Sequence, residues 1–228
     1  MHIKENRSCY ATPIQREVLL DLITNKVIEE SFFLTGGTAL SVFYLHHRLS
    51  NDLDFFALNP VNMAEIDLSV RRRWPQESAK IKEGPNFLSF LIKDTKVDFV
   101  VDPLSSKERR EDLWFENGQH LYVDTIDNIS SNKFCTVVSR IEPKDFIDFY
   151  FIQKVFPEFN IEQVYDHARR KEVLFEDPPT AAFQLEEGLA FLMENRAILP
   201  ITLKEYDIND LFKFYQETIN WLYQKVKM

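Results

Sequence analysis

The chain has little of what several specialised architectures require. Its 228 residues include two cysteines, Cys9 and Cys135, which lie far apart and without metal-ligand spacing. That argues against a disulfide scaffold or a zinc centre and leaves both as plain thiols. No apolar run approaches the ~18 residues of a membrane span, and the opening MHIKENRSCYATP has no apolar signal core. A cytoplasmic protein without a membrane partner is expected. Positive charge is also short: 27 Lys and Arg against 36 Asp and Glu give a net charge of -9. Nonspecific affinity for phosphate backbones comes mainly from cations, so a general nucleic-acid coat protein is disfavoured, although local basic patches stay open. Internal repeats and low-complexity segments are absent from the sequence.

What is present is a hydrophobic fraction of 45%, made unusually aromatic by 20 Phe and 8 Tyr, enough for a sizeable core. Thr12-Pro13 opens a helix whose Ile14, Val18, Leu19, Leu22, Ile23 and Val27 share one face. Ser31 to Leu34 reads as a buried strand ended by Gly36-Gly37, with Thr38 as candidate N-cap of a short buried helix through Leu45. Asp52 to Leu58 reads as a second strand, closed by Asn59-Pro60. Met63 to Trp74 suits a helix whose Arg71-Arg72-Arg73 run is a solvated face or, alternatively, a contact for RNA or phosphate. Ser78 to Lys82, Phe87 to Lys93 and Lys96 to Val101 form a meander of hairpins; Pro103 to Gly118 is irregular; His120 to Val123 is one more short strand. Beyond Asp124 helical spacing takes over, in segments near 125–140, 143–151, 161–172, 178–193 and 208–226. The expected fold class is α+β: a mixed β-sheet with flanking helices over 1–124, then a helical bundle over 125–228.

The chemistry concentrates between Phe32 and Phe56. On a strand, Asp52 and Asp54 project from one face. Two carboxylates that close repel unless a cation sits between them, and an all-oxygen donor set suits Mg²⁺ or Mn²⁺. Asp98 is an isolated acid in a strand of Val and Phe. If its strand lies beside the first, it completes a three-carboxylate cluster, which fits two-metal displacement at phosphorus. Gly36-Gly37-Thr38 lets backbone approach a ligand and turns the N-H groups of the next helix toward phosphate oxygens. Its spacing is neither that of a Walker loop nor that of a dinucleotide fingerprint. Arg48 and Ser50 stand just before the acidic strand, where they can bond triphosphate oxygens. Each piece alone has a plainer reading, as a tight turn or a salt-bridged acid; their order in one stretch favours the site. His46, His47, His120 and His167 are read as core or surface histidines.

A Gly-Gly turn, then Asp-x-Asp on a strand, then a single later Asp resembles the DNA polymerase β-like nucleotidyltransferase superfamily. More narrowly, LTGGTALSVFYLHHRLSNDLDFF is similar to the AbiEii/AbiGii toxin family. The stretch KFCTVVSRIEPKDFIDFYFI is also similar to that family, through Lys133, Arg140, Lys144-Asp145 and Asp148. The resemblance spans residues 32–152. It implies a nucleotidyltransferase core in which Asp52, Asp54 and Asp98 are the catalytic and metal-binding residues. Gly36, Gly37, Thr38, Ser50 and Lys133 would contact the nucleotide, with Arg48, Arg140, Asp145 and Asp148 in support; Asp145 and Asp148 can equally brace helices through buried ion pairs. The implied function is Mg²⁺-dependent (or Mn²⁺-dependent) transfer of a nucleoside monophosphate from an NTP to an RNA (tRNA) or protein acceptor. The agent would be the toxin of a bacterial toxin-antitoxin or abortive-infection system, with a separate antitoxin protein as partner. A small-molecule enzyme of aminoglycoside type and a catalytically inactive nucleotide-binding module are the alternatives.

Overall fold

The computed structural model describes residues 3–105, 107 and 109–225. Its residues group into two compact units, Met1–Ile126 and Asp127–Met228.

In the first unit, helix α1 (Pro13–Leu22) is capped by Thr12, whose side chain accepts from the Gln15 N-H at 3.2 Å. The helix stops short of the range its apolar spacing predicts. Asn25 caps a new helix, α2 (Lys26–Ser31), by accepting from the Val27 N-H, so Val27 belongs to a different element. Ile14, at the exposed start of α1, is 43% accessible rather than core. Strand β1 (Phe33–Thr35) runs directly into α3 (Gly36–Ala39), which continues as a π-helical segment, Leu40–Leu45. The helix begins at the glycines themselves, and Thr38 lies inside it instead of capping it.

Strand β2 (Leu53–Ala57) and helix α4 (Met63–Arg73) follow. On α4, Arg71 pairs with Asp67 and Arg73 with Asp21, each at 2.8 Å on the exposed surface. The expected meander is β3 (Ser78–Gly84), β4 (Phe87–Ile92) and β5 (Thr95–Val101). Its second turn uses Lys93 and Asp94, both at positive φ, as the tight hairpin turns demand. The stretch read as irregular contains a strand, β6 (Glu111–Trp114), which pairs with β7 (His120–Val123). It lies at the sheet edge and only Leu113 of its four residues is buried, so it carries no apolar alternation to detect.

The strands form one mixed sheet in the order β3-β4-β5-β2-β1-β7-β6. Pairs β2–β5 and β1–β7 are parallel, and β1–β2 is antiparallel. Alternation along β2 and β5 buries Leu53, Phe55, Val97 and Phe99 on one face, where the Phe55 and Phe99 rings stack at 5.4 Å. Burial of each such side chain stabilises by roughly 1.5–3 kcal/mol, which pins the register of the two strands. On the opposite face, Thr35, Asp54, Asp98 and Ser89 form a polar row across β1, β2, β5 and β4.

The second unit is helical: α5 (Ile126–Ser139), α6 (Pro143–Val155), α7 (Ile161–Ala168), α8 (Pro178–Glu194) and α9 (Ile208–Gln224). α7 is shorter than expected, and Val226 of the expected last helix lies outside the described residues. α6 is buried without a break from Asp145 to Ile152, as befits a central helix. Phe149 stacks on Phe134 of α5, and Phe146 meets Tyr215 of α9, both at 4.9 Å. Among the described residues no helix is long and apolar enough to cross a membrane.

Candidate active site

The floor of the site is bare backbone. Gly36 has φ +69, and a Cβ there would collide with the Asp54 carboxylate. A Cβ at Gly37 would stand 2.7 Å from Arg48 Nη2 and 3.0 Å from Ser50 Oγ. At both glycines a polar side chain closes over the main chain, and at Gly36 the positive φ adds a conformation that L side chains rarely adopt. Arg48 and Ser50 are themselves buried; the guanidinium donates to the Leu49 carbonyl at 2.7 Å, and Ser50 forms a parallel bridge with Tyr10.

Asp52 immediately precedes β2, and its position is set through its carbonyl, which accepts from the Thr38 hydroxyl and, at 3.4 Å, from the Gln15 amide. Gln15 is 1% accessible and also donates to Thr38 Oγ1 at 3.2 Å. Sequence reading missed Gln15; the available signal is one polar residue on an otherwise apolar helical face. Thr38 thus acts through its hydroxyl on the protein's own backbone.

Asp54 and Asp98 are direct partners in the parallel β2–β5 ladder and share a face. Asp98 accepts from the Ser89 hydroxyl through Oδ1 and from the Lys96 ammonium through Oδ2, the latter at 2.6 Å. One residue before the Leu53–Val97 pair, Asp52 and Lys96 occupy corresponding positions. Three acids and one lysine therefore share this patch of sheet. Burial lowers the Lys96 pKa, but the bond and charge of Asp98, with Asp52 and Asp54 beyond, hold it above the ordinary lysine value. Neither Ser89 nor Lys96 was singled out from sequence: Ser89 reaches Asp98 only through strand pairing, whereas Lys96, two residues before Asp98 on β5, shares its face by the same alternation that joins Asp52 and Asp54.

Among the described residues, no three Asp, Glu, His or Cys side chains already form a group poised around a cation. The donor set nonetheless fits Mg²⁺ or Mn²⁺: paired carboxylate oxygens from adjacent strands, over a glycine whose missing side chain leaves the carboxylate its room. Behind this row, the fully buried Asp124 accepts from Thr35 Oγ1 at 2.6 Å and lies 3.3 Å from Arg110 Nε. It fixes the strand next to Asp54.

In the second unit, Lys133 Nζ is 2.6 Å from Asp145 Oδ1 and 2.7 Å from Asp148 Oδ2, and Arg140 reaches Asp145 Oδ2 at 2.8 Å. The bracing ion pairs are thus present. Burial pushes the Asp145 carboxyl up, but Lys133 and Arg140 outweigh it and hold the group below the usual carboxylate range. His120 and His167 each face a carboxylate, of Asp112 at 3.1 Å and Asp127 at 2.8 Å.

A family model described as nucleotidyl transferase AbiEii toxin, type IV TA system, matches residues 17–206. The chain belongs to the AbiEii family. This places it among the nucleotidyl transferases, and every residue expected from sequence at the site falls inside the AbiEii match. Protein aq_aa25 of Aquifex aeolicus (strain VF5), itself uncharacterized, is 30% identical over 146 residues, 61% of this chain and 66% of that protein. The alignment thus spans just under two thirds of that relative. A solved H. pylori protein with a proposed nucleotidyltransferase assignment is similar with a TM-score of 0.54 at 17% identity, covering 96% of each chain. JHP933 from Helicobacter pylori gives 0.52 at 19%, covering 97% of this chain and 94% of that one. At such identities these likenesses show the fold: an α+β nucleotidyltransferase core with flanking helices, followed by further helices.

Proposed function

We propose that this AbiEii-family chain is a Mg²⁺-dependent nucleotidyltransferase that moves a nucleoside monophosphate from an NTP to a hydroxyl of RNA, tRNA foremost, or of a protein. It acts in the cytoplasm as the toxin of a toxin-antitoxin or abortive-infection pair, with an antitoxin protein as its partner. The observation that carries the reading is the Asp54–Asp98 pair, in register on adjacent parallel strands with Gly36 beneath Asp54.

In this reading the acceptor oxygen attacks the α-phosphorus, the bond from that phosphorus to pyrophosphate breaks, and the acceptor proton passes to Asp98. Asp52, Asp54 and Asp98 would hold the metal, which when bound supplies charge neutralisation at the phosphate oxygens. Gly36, Gly37 and Thr38 offer main-chain N-H groups, while Arg48 and Ser50, at the edge of Gly37, add donors to the phosphates. A nucleotide contact from Lys133 would come from an ammonium oriented by Asp145 and Asp148, with Arg140 steadying Asp145. The test is label transfer from NTP in Mg²⁺ by wild type and Asp54→Ala. Loss of transfer in a folded variant is expected; undiminished transfer refutes the reading, and nucleotide binding without transfer by wild type indicates an inactive module.

One feature favours a second acceptor class. A cavity of about 600 Å³ is lined by Ala79 and Leu91, among others. These two continue the Lys96 row across β4 and β3. Glu17, Glu77 and Asp94 outnumber Lys93 in its lining, which suits a cationic small molecule of aminoglycoside type. Parallel transfer assays onto tRNA and aminoglycosides separate the two.

A further inference from the structure

A metal-binding carboxylate pair needs a cation, and the chain supplies one of its own. Lys96 lies on the face that carries Asp54 and Asp98, two residues from Asp98 along β5 and one residue before the Leu53–Val97 pair, level with Asp52 just ahead of β2. Its ammonium bonds Asp98 Oδ2 at 2.6 Å, while Ser89 takes the other oxygen. The Lys96 side chain is 42% accessible, against 13% for Asp98. The acid is therefore fixed in the sheet, and its partner sits on a flexible four-carbon stem that can leave without moving a strand. Ion pairs at such half-open positions contribute little to stability and are readily exchanged.

We propose that Lys96 is an internal place-holder for the metal: in the ligand-free protein it occupies Asp98, and a divalent cation enters by displacing it from that oxygen. This rests on the metal reading of the three acids given above. One consequence follows from the geometry: the resting protein binds metal more weakly than its carboxylates alone would, by the fraction of molecules in which Lys96 is engaged. A purely structural Lys96, tying β5 to its neighbours, has no such consequence.

The experiment is a Mn²⁺ titration of the full chain without nucleotide, followed by the loss of the free-ion EPR signal. Wild type, Lys96→Met, Lys96→Gln and Asp54→Asn are compared, with folding checked by circular dichroism. Removing one adjacent positive charge and its competition should tighten Mn²⁺ binding about tenfold in both Lys96 variants, and Asp54→Asn should lose binding. Lys96 variants that bind Mn²⁺ no tighter than wild type, while Asp54→Asn loses it, overturn the place-holder and leave the metal reading standing. Wild-type binding by Asp54→Asn overturns both.

Discussion

The Asp54 carboxylate rests directly on the main chain of Gly36, with no space between them for a side chain. The glycine is also at φ +69, a left-handed conformation. Gly36→Ala therefore meets two penalties, roughly 1–2 kcal/mol of backbone strain and a displaced Asp54. An ångström-scale shift at a reacting centre costs about 10²-fold in rate. Denaturant unfolding and NTP label transfer should show both losses. Gly37→Ala should be milder in stability, because the nearest atom is the end of the Arg48 side chain, which can yield.

Gln15 supports Asp52 from a helix the motif does not include. Gln15→Leu leaves the Ala11 N-H without its side-chain acceptor and removes one bond from Thr38 and one from the Asp52 carbonyl. Loss of about 1–3 kcal/mol of unfolding free energy in urea is expected from the buried group left unmatched. If Gln15 also positions Asp52, transfer falls in the folded variant; an unchanged rate would restrict Gln15 to stability.

Lys133→Met leaves Asp145 and Asp148 buried with their principal cation gone. Breaking such a pair costs roughly 3–5 kcal/mol, more than any substitution above, read by denaturant unfolding followed by circular dichroism. The pH dependence should invert. In wild type the depressed Asp145 pKa contributes stability above the ordinary carboxylate pKa, and that contribution is lost as pH falls through the lowered folded value. In the variant, burial, the largest influence on Asp145, is opposed only by Arg140 and raises that carboxyl pKa, so lowering the pH from 7 toward 5 should stabilise it.

Burial pushes the Cys135 thiol up to about 12, and Cys9 is buried. At pH 8 the thiolate fraction of Cys135 is then about 10³-fold below that of an ordinary cysteine. Ellman's reagent should label native protein very slowly and titrate two thiols at once in urea. A fast native thiol that persists in Cys9→Ser would contradict the packing around Cys135.

The legible parts of this fold were those whose signal is local. The alternation Leu53-Asp54-Phe55 and Val97-Asp98-Phe99 states which face is core, and the acids follow by parity. The α1–α2 break was hidden because Val27 keeps the apolar spacing while Asn25 restarts the helix. β6 was hidden because an edge strand facing solvent has no apolar pattern. Thr38 reads as a cap in sequence; its hydroxyl found the Asp52 carbonyl 14 positions on instead. Ser89 and Gln15 reach the acids through strand pairing and helix placement, which spacing along one chain does not encode, while Lys96, two residues before Asp98 on one strand, was legible by parity.

The parallel β2–β5 ladder also has a bearing on when the molecule can act. The Gly-Gly and Asp-x-Asp elements come early in the chain, but Asp98 stands beside Asp54 only when β5 lies between β4 and β2 in the sheet. Because side chains alternate with a period of two, a slip of one residue would present Val97 or Phe99 to Asp54 in place of the acid. A misregistered chain thus carries the motif in its letters without bringing Asp98 level with Asp54, and under the proposed function it would be inert.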